Sequence, residues 1–345
     1  MTQKTKHIGI VGGGKMGTSV FNFLSQYNFK IVWHIRTNTN EINKKNIRKL
    51  NRALKNNLIT LEDFNFKIKH QVITNSITDL TDSSLVIECI SENLLSKQAL
   101  IKELFTIINP DAIIASNSSS FKPEVLSTHN NYKTRIVGLH FFFPVEIKHI
   151  AELVLSVYNT TENIKKMEVF LTSINKFYLI QNNQNAFILN RIMLKLQAAA
   201  FNYITQHNSS FKQIDAAVKQ YLFPIGIFEM MDHVGIDIIY QSANNYIKEE
   251  KDKSVFLPLI NFMKQCIQEN KLGIKTQQGF YNYPSTISAP EITDNNKKQI
   301  AKYLVNSYLV IYNWAITMGN YKTSDLDFCI NEYLDTNTRQ WRNLV

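Results

Sequence analysis

The chain opens on a short apolar run, Ile8-Gly9-Ile10-Val11, with the polar flanks of a buried parallel strand. A glycine-rich turn, Gly12-Gly13-Gly14-Lys15-Met16-Gly17, follows at once. Thr18 to Tyr27 then sets Val20, Phe21, Phe23 and Leu24 on one helical face. Ile31-Val32-Trp33-His34-Ile35 predicts a second strand, completing a βαβ unit of about 30 residues. A polar, basic helix is expected from Glu41 to Asn57. Ser84 to Ile90 is a strand whose apolar run is broken only by Glu88. An amphipathic helix, Leu100 to Ile108, closes at Asn109-Pro110. Ala112 to Ala115 and Arg135 to Leu139 are further buried strands, one running into Ser116-Asn117-Ser118-Ser119-Ser120, the other ending at His140. This alternation predicts an α/β fold with an open, mostly parallel sheet.

From about Asn185 the texture changes. Helical patterns over Ala186 to Gln206, Phe211 to Leu222, Ile225 to Glu249 and Ser254 to Glu269 succeed one another without strands, and the run closes at Gly279-Phe280-Tyr281-Asn282-Tyr283-Pro284. Beyond it, Tyr312-Asn313-Trp314-Ala315, Leu326-Asp327 and Tyr333-Leu334 echo Phe201-Asn202-Tyr203-Ile204, Ile214-Asp215 and Tyr221-Leu222. One gap aligns them, as in a partial internal repeat. The expected organisation is a Rossmann-type domain over 1–184, an all-helical domain over 185–284 and a partial second helical repeat over 285–345.

Composition narrows the class. Of 345 residues, 44% are hydrophobic and 19% charged, enough to bury a large core, which excludes a disordered chain. Cys89, Cys266 and Cys329 are too far apart for a disulfide framework or a zinc site, so a reducing compartment and no metal are expected. Met1 to Lys6 supplies no signal-peptide core, and a cytoplasmic location is the expectation. The net charge of +10 admits nucleic acid, a membrane surface or an anionic ligand, but the lysines are dispersed, as on a solvated surface. Tyr303 to Tyr321 has no formal charge, yet Asn306, Ser307, Asn313, Thr317 and Asn320 interrupt it. A buried helix is expected there, not a membrane span. Neither nucleic acid nor membrane is an expected partner.

Gly12-x-Gly14-x-x-Gly17 between a strand and a helix suits a dinucleotide. The glycines permit a tight turn and close approach to a pyrophosphate, which the helix N-terminus attracts; the alternative is an ordinary glycine turn. The second strand ends in His34-Ile35-Arg36-Thr37, with no acid for a ribose hydroxyl, and Arg36 there is either a 2′-phosphate contact or a surface residue. His140 ends a predicted strand, where open α/β sheets place their chemistry, and imidazole suits proton transfer near neutrality. Glu152 is placed to orient it, though a buried structural histidine and a solvated helical glutamate are the plainer readings.

Taken together, these residues resemble the L-3-hydroxyacyl-CoA dehydrogenases, including the 3-hydroxybutyryl-CoA dehydrogenases. The carrying segments are Gly12 to Gly17, Val86 to Asn93, Ser116 to Ser119, Gly138-Leu139-His140-Phe141-Phe142, Ala186 to Arg191, Pro224 to Gly235 and Gly279-Phe280-Tyr281. The resemblance implies NAD-linked oxidation of an L-3-hydroxyacyl-CoA in fatty-acid or butanoate metabolism, and an acyl-CoA as small-molecule partner. It implies His140 as general base, Glu152 as its orienting partner, Ser119 at the reacting oxygen, and Asn190 as a substrate contact from the helical domain. Gly12, Gly14, Lys15, Met16, Gly17, Glu92, Lys97 and Asn117 fall on the cofactor side. Lys55, on the basic helix, falls where the family touches CoA phosphates. A homodimer is implied, or a pseudo-dimer covered by the 285–345 repeat.

Three departures stand out. Phe143 replaces the usual Asn of a His-Phe-Phe-Asn-Pro run, Asn183-Gln184-Asn185-Ala186 replaces an Asp-x-Pro-Gly hinge, and the acidic ribose ligand is missing, which leaves NADP open beside NAD. A related dehydrogenase of a free hydroxy acid, of L-gulonate or carnitine type, and a catalytically silent binding protein on the same scaffold remain the alternatives.

Overall fold

The computed structural model describes residues 7–182, 184–250, 252–284 and 292–345. Met1 to Lys6, Asn183 of the hinge and the first residues of the predicted repeat lie outside them. The chain divides into two compact units, Met1–Ala186 and Phe187–Val345.

The first unit contains β1 (His7–Val11), α1 (Lys15–Leu24), β2 (Lys30–His34), α2 (Thr39–Lys55), α3 (Leu61–His70), β3 (Gln71–Thr74), β4 (Leu85–Glu88), α4 (Leu94–Ile107), β5 (Ile113–Ser116), α5 (Asn130–Lys133), β6 (Ile136–Phe141), β7 (Ile150–Val154), α6 (Thr161–Ser173) and β8 (Phe177–Gln181). The strands form one sheet in the order β3-β2-β1-β4-β5-β6-β7-β8. It is parallel from β3 to β6, turns antiparallel between β6 and β7, and is parallel again between β7 and β8. Successive strand residues face opposite sides. Ile10 and Ile87 pack with Phe21 and Leu24 of α1 and Phe170 of α6, whereas Val11 and Val86 pack with Ile101 and Leu104 of α4. Burial on both faces is why these strands read as continuous apolar runs.

The sequence expectation passed over helices α5 and α6, and also α3, β3, β7 and β8. Of the last four, three are short or polar, and β7 carries Glu152 at its centre. Its pattern therefore reads as well for a helix, but Glu152 is a fully buried strand residue and not a solvated helical one. Helix α4 begins at Leu94, before the expected Leu100, because the Asn93 side chain accepts from the Ser96 amide at 2.9 Å and caps it.

The second unit is helical: α7 (Ile188–His207), α8 (Phe211–Tyr221), α9 (Ile227–Val234), α10 (Ile236–Ile247), α11 (Leu257–Gln268), α12 (Asp294–Gly319), α13 (Thr323–Leu334) and α14 (Thr338–Arg342). The single helix expected from Ile225 to Glu249 is two, α9 and α10, broken at Gly235, whose φ of 105° is open to glycine but strained for other residues. Among the described residues no helix is long and apolar enough to cross a membrane. Tyr303 to Gly319 lies within α12, which buries Leu304, Val305, Tyr308, Tyr312 and Ala315.

The loop after α11 is tied back by two buried carboxylates. Asp232 accepts from the Phe280 and Tyr281 amides and the Tyr283 hydroxyl; Asp215 accepts from the Phe228 and Glu229 amides and the Tyr281 hydroxyl. Burial pushes the Asp215 carboxyl up to about 6, although those donors pull the other way.

The repeat seen in the sequence has a structural counterpart. Helices α7 and α12 each end at a left-handed asparagine, Asn208 (φ 51°, ψ 38°) and Asn320 (φ 50°, ψ 37°). The next helix starts three residues later in both cases, at Phe211 and Thr323. Helix α12 packs along α7 and α8. Trp341 of α14 is 1% exposed and donates its indole N–H to the Leu222 carbonyl at 3.0 Å, pinning the end of the chain to the end of α8.

Candidate active site

The glycine turn leads from β1 into α1. Gly12 has φ 127°, and a Cβ there would meet the Cys89 carbonyl oxygen at 2.5 Å. At Gly17 a Cβ would stand 2.1 Å from the Gly12 oxygen, so both positions need glycine for close backbone packing. Gly14 differs: a Cβ built there meets nothing within 4 Å. It caps α1 without a side-chain hydrogen bond, and the first turn of that helix has no acidic residue. Open space beside Gly14, at the start of a helix with no side-chain cap and no acid in its first turn, fits a dinucleotide pyrophosphate. Lys15 is exposed beside the turn, and Met16 packs partly against the core.

At the end of β2, Ile35 is buried and its Cγ2 would stand 3.3 Å from a Cβ at Gly13. Arg36 follows it and is exposed. Lys55 is exposed in the last turn of α2.

Beside the glycine turn lies a buried polar cluster. Glu88, the last residue of β4, is 0% exposed. Its Oε1 accepts from the Ile90 amide at 2.7 Å and its Oε2 from the Ser116 hydroxyl at 2.5 Å. Lys97, 1% exposed on α4, reaches both oxygens at 2.7 and 3.0 Å, the Ile90 carbonyl at 3.3 Å and Glu92 Oε2 at 3.4 Å. Buried charges need partners of this kind. Glu92 Oε1 in turn accepts from the Ser118 hydroxyl at 2.6 Å, the Ser120 amide at 3.1 Å and the Ser120 hydroxyl at 2.8 Å. Those bonds fix the loop that carries half-buried Ser119. Asn117 accepts from the Phe141 amide at 2.9 Å and so ties the same loop to β6.

His140 and Glu152 are direct cross-strand partners on the antiparallel rung between β6 and β7. The His140 Nδ1 lies 2.7 Å from Glu152 Oε2. The other carboxylate oxygen accepts from the Gln181 amide of β8 at 2.7 Å. Glu152 is 0% exposed, His140 7% and Gln181 1%. Held in this way, the carboxylate favours the tautomer with the proton on Nδ1 and fixes the orientation of the ring. Phe142 packs on the imidazole, with ring centroids 4.5 Å apart, while Phe143 is 55% exposed.

In the second unit Asn190 lies in the first turn of α7, half-buried. Its Nδ2 donates to the Tyr246 hydroxyl of α10 at 3.3 Å, and its Oδ1 accepts from the Tyr333 hydroxyl of α13 at 3.1 Å.

Within the first unit, then, the structure brings His140 to Glu152, and Glu92 and Lys97 to one cluster beneath Ser119. Sequence reasoning missed Glu88, Gln181, Tyr246 and Tyr333. Glu88 had a signal: an acid breaking an apolar strand demands a buried partner, and Lys97 follows within reach. The others had none, because their roles depend on β8 and on helix packing.

A doubly wound nucleotide fold with a histidine–carboxylate pair on neighbouring strands defines a class of dehydrogenase-like proteins. Residues 7–184 match the family model described as 3-hydroxyacyl-CoA dehydrogenase, NAD binding domain, and residues 187–283 match 3-hydroxyacyl-CoA dehydrogenase, C-terminal domain. The chain belongs to the 3-hydroxyacyl-CoA dehydrogenase family, and is by that membership an NAD-binding oxidoreductase. It is 27% identical to a 3-hydroxybutyryl-CoA dehydrogenase of Bradyrhizobium diazoefficiens, over 84% of this chain and 99% of that one. It is also 27% identical to the mitochondrial hydroxyacyl-coenzyme A dehydrogenase of Homo sapiens, over 81% and 91%. Among solved structures it resembles a 3-hydroxybutyryl-CoA dehydrogenase from Escherichia coli, with TM-score 0.81 at 17% identity over 99% of this chain and 91% of that one. The (S)-3-hydroxybutyryl-CoA dehydrogenase of Ralstonia eutropha gives 0.71 at 24% identity, over 82% and 100%. At these identities the structural likenesses speak for the fold, and the first of them extends through α12–α14.

Proposed function

We propose that this protein interconverts an L-3-hydroxyacyl-CoA and the 3-ketoacyl-CoA, with His140 as the general base. The observation that carries the reading is the 2.7 Å contact between His140 and a fully buried Glu152. NAD, when bound, supplies the hydride acceptor. His140 Nε2 takes the proton of the 3-hydroxyl as the hydride leaves C3, and returns it in the reverse direction. Glu152, itself held by Gln181, keeps the imidazole in one orientation and balances the charge it gains. Ser119 holds the reacting oxygen and Asn190 the acyl group, so that positioning lowers the barrier along with proton transfer.

On the cofactor side, the amides that follow Gly14 receive the pyrophosphate, with Lys15 and Met16 beside them. Glu92 meets the nicotinamide end, and Lys97 acts there through Glu92, since its ammonium is already surrounded by protein oxygens. Asn117 shapes the same wall. Arg36 stands where a ribose 2′-phosphate would meet it, and Lys55 offers its charge to CoA phosphates. Cys89, Cys266 and Cys329, buried and outside any disulfide, support a reducing, cytoplasmic setting. Helix α12, lying along α7 and α8, supports a tail-covered pseudo-dimer.

The test is oxidation of reduced nicotinamide, followed by its near-ultraviolet absorbance with acetoacetyl-CoA as substrate. Turnover is expected, and His140→Ala is expected to lower it by about 10²–10⁴-fold. No signal from the intact protein with any acyl-CoA would favour the silent scaffold, and turnover confined to free hydroxy acids would favour the other dehydrogenase reading.

A further inference from the structure

We infer that Tyr333, from the C-terminal helices, is a positioning residue for the acyl-CoA site, acting through Asn190. The inference rests on the role proposed above for Asn190.

An asparagine side chain has two N–H donors and a carbonyl with two lone pairs. Here the amide is gripped at both ends, by the Tyr333 hydroxyl on Oδ1 at 3.1 Å and the Tyr246 hydroxyl on Nδ2 at 3.3 Å. One N–H and one lone pair are left over from those two contacts, and the side chain that presents them no longer rotates at will. Tyr246 is itself fixed. It is 4% exposed, it packs against Phe187, and the guanidinium of Arg191 lies 5.4 Å from its ring while pairing with Glu249 and Glu250.

The two phenols differ in origin. Tyr246 lies within residues 187–283, which match the family's C-terminal domain, and Tyr333 lies beyond them. Tyr333 is held in place by its own end of the chain. Leu334 beside it is buried, and Trp341 packs edge-on to Tyr308 at 5.0 Å while its indole N–H anchors to Leu222. The chain end therefore does more than cover apolar surface: it delivers one hydroxyl to the residue assigned to the acyl group. By position, Tyr333 is also the repeat's counterpart of Tyr221, whose hydroxyl donates instead to Asp294 at 2.9 Å. The two copies thus put equivalent phenols to different uses.

Tyr333→Phe removes the hydroxyl and keeps the ring, so packing survives. In the full-length enzyme the KM for acetoacetyl-CoA is expected to rise by about 3- to 10-fold, the range set by one lost hydrogen bond. The KM for reduced nicotinamide and the melting temperature are expected to stay as in the parent. Placed on Asn190→Ala, the same change is expected to add nothing, because its route to the substrate is already gone. An unchanged acyl-CoA KM in Tyr333→Phe, an equal loss for the nicotinamide, or additivity with Asn190→Ala would each overturn the inference. If Asn190→Ala raises the acyl-CoA KM and Tyr333→Phe does not, the inference alone fails. If Asn190→Ala leaves that KM untouched, or the parent enzyme turns over no acyl-CoA, the reading of the site fails and takes the inference with it.

Discussion

At the residue scale, the proposed choice between NAD and NADP turns on one side chain. At the end of β2 the position for an acidic ribose ligand is held by buried Ile35, and the next side chain is an exposed Arg36. Ile35 cannot accept from a ribose hydroxyl, whereas a guanidinium matches a phosphate in two-point fashion. Replacing Arg36 with Asp is therefore expected to weaken NADPH binding by about tenfold or more while sparing NADH. Titration of both reduced cofactors into the free protein measures this. A preference for NADH that the substitution leaves unchanged removes Arg36 from the cofactor site. At this scale the sequence was informative where a residue type demands a partner of its own, as with His140, which the structure pairs with Glu152. It was silent on Gln181 and Tyr333, whose ordinary polar side chains gain meaning only from what folds against them.

Among elements, the glycine turn offers the sharpest contrast. Gly14 and Gly17 belong to one motif, yet a methyl group at Gly17 would stand 2.1 Å from backbone, and one at Gly14 would meet nothing within 4 Å. The backbone at Gly14, φ −76° and ψ −176°, suits alanine. Gly14→Ala is thus expected to keep the parent melting temperature and lose at least about tenfold in affinity for reduced nicotinamide, because the methyl fills the approach of the pyrophosphate. Calorimetric titration beside a thermal melt decides it, and full affinity in Gly14→Ala would remove the turn from nucleotide binding. The central parallel strands β1, β2, β4, β5 and β6 were legible because burial on both faces writes a continuous apolar run. Strand β7 was not, because a buried glutamate inside Ile150–Val154 looks the same in a helix until His140 is known to lie across from it. Gly235 marks another limit: the sequence pattern ran straight through it, and only its left-handed backbone ends α9.

For the whole molecule the question is what covers the helical unit. Helix α12 lies along α7 and α8, and Trp341 locks the chain end to Leu222. If the second copy stands in for a partner subunit, the intact protein is expected to scatter light as a monomer at micromolar concentration. A tight dimer that persists after deletion of 285–345 would count against that arrangement. The echo between Phe201–Leu222 and Tyr312–Leu334 made the duplication visible in the sequence, and the matched left-handed joints at Asn208 and Asn320 give it geometry. Its divergence was not visible: Asp215 braces the Tyr281 loop, while its counterpart Asp327 binds Arg342 at 2.7 Å.

The rung shared by His140 and Glu152 also makes the chemistry a proofreader of folding. Side chains alternate along a strand, so sliding β7 by one residue would turn the glutamate to the opposite face of the sheet. A molecule paired in that wrong alignment would strand a carboxylate in oil, away from imidazole and from Gln181 alike, at a cost of several kcal/mol. The same contact that orients the histidine thus penalises the mis-threaded sheet, and an isomer of this kind would be selected against by its own instability.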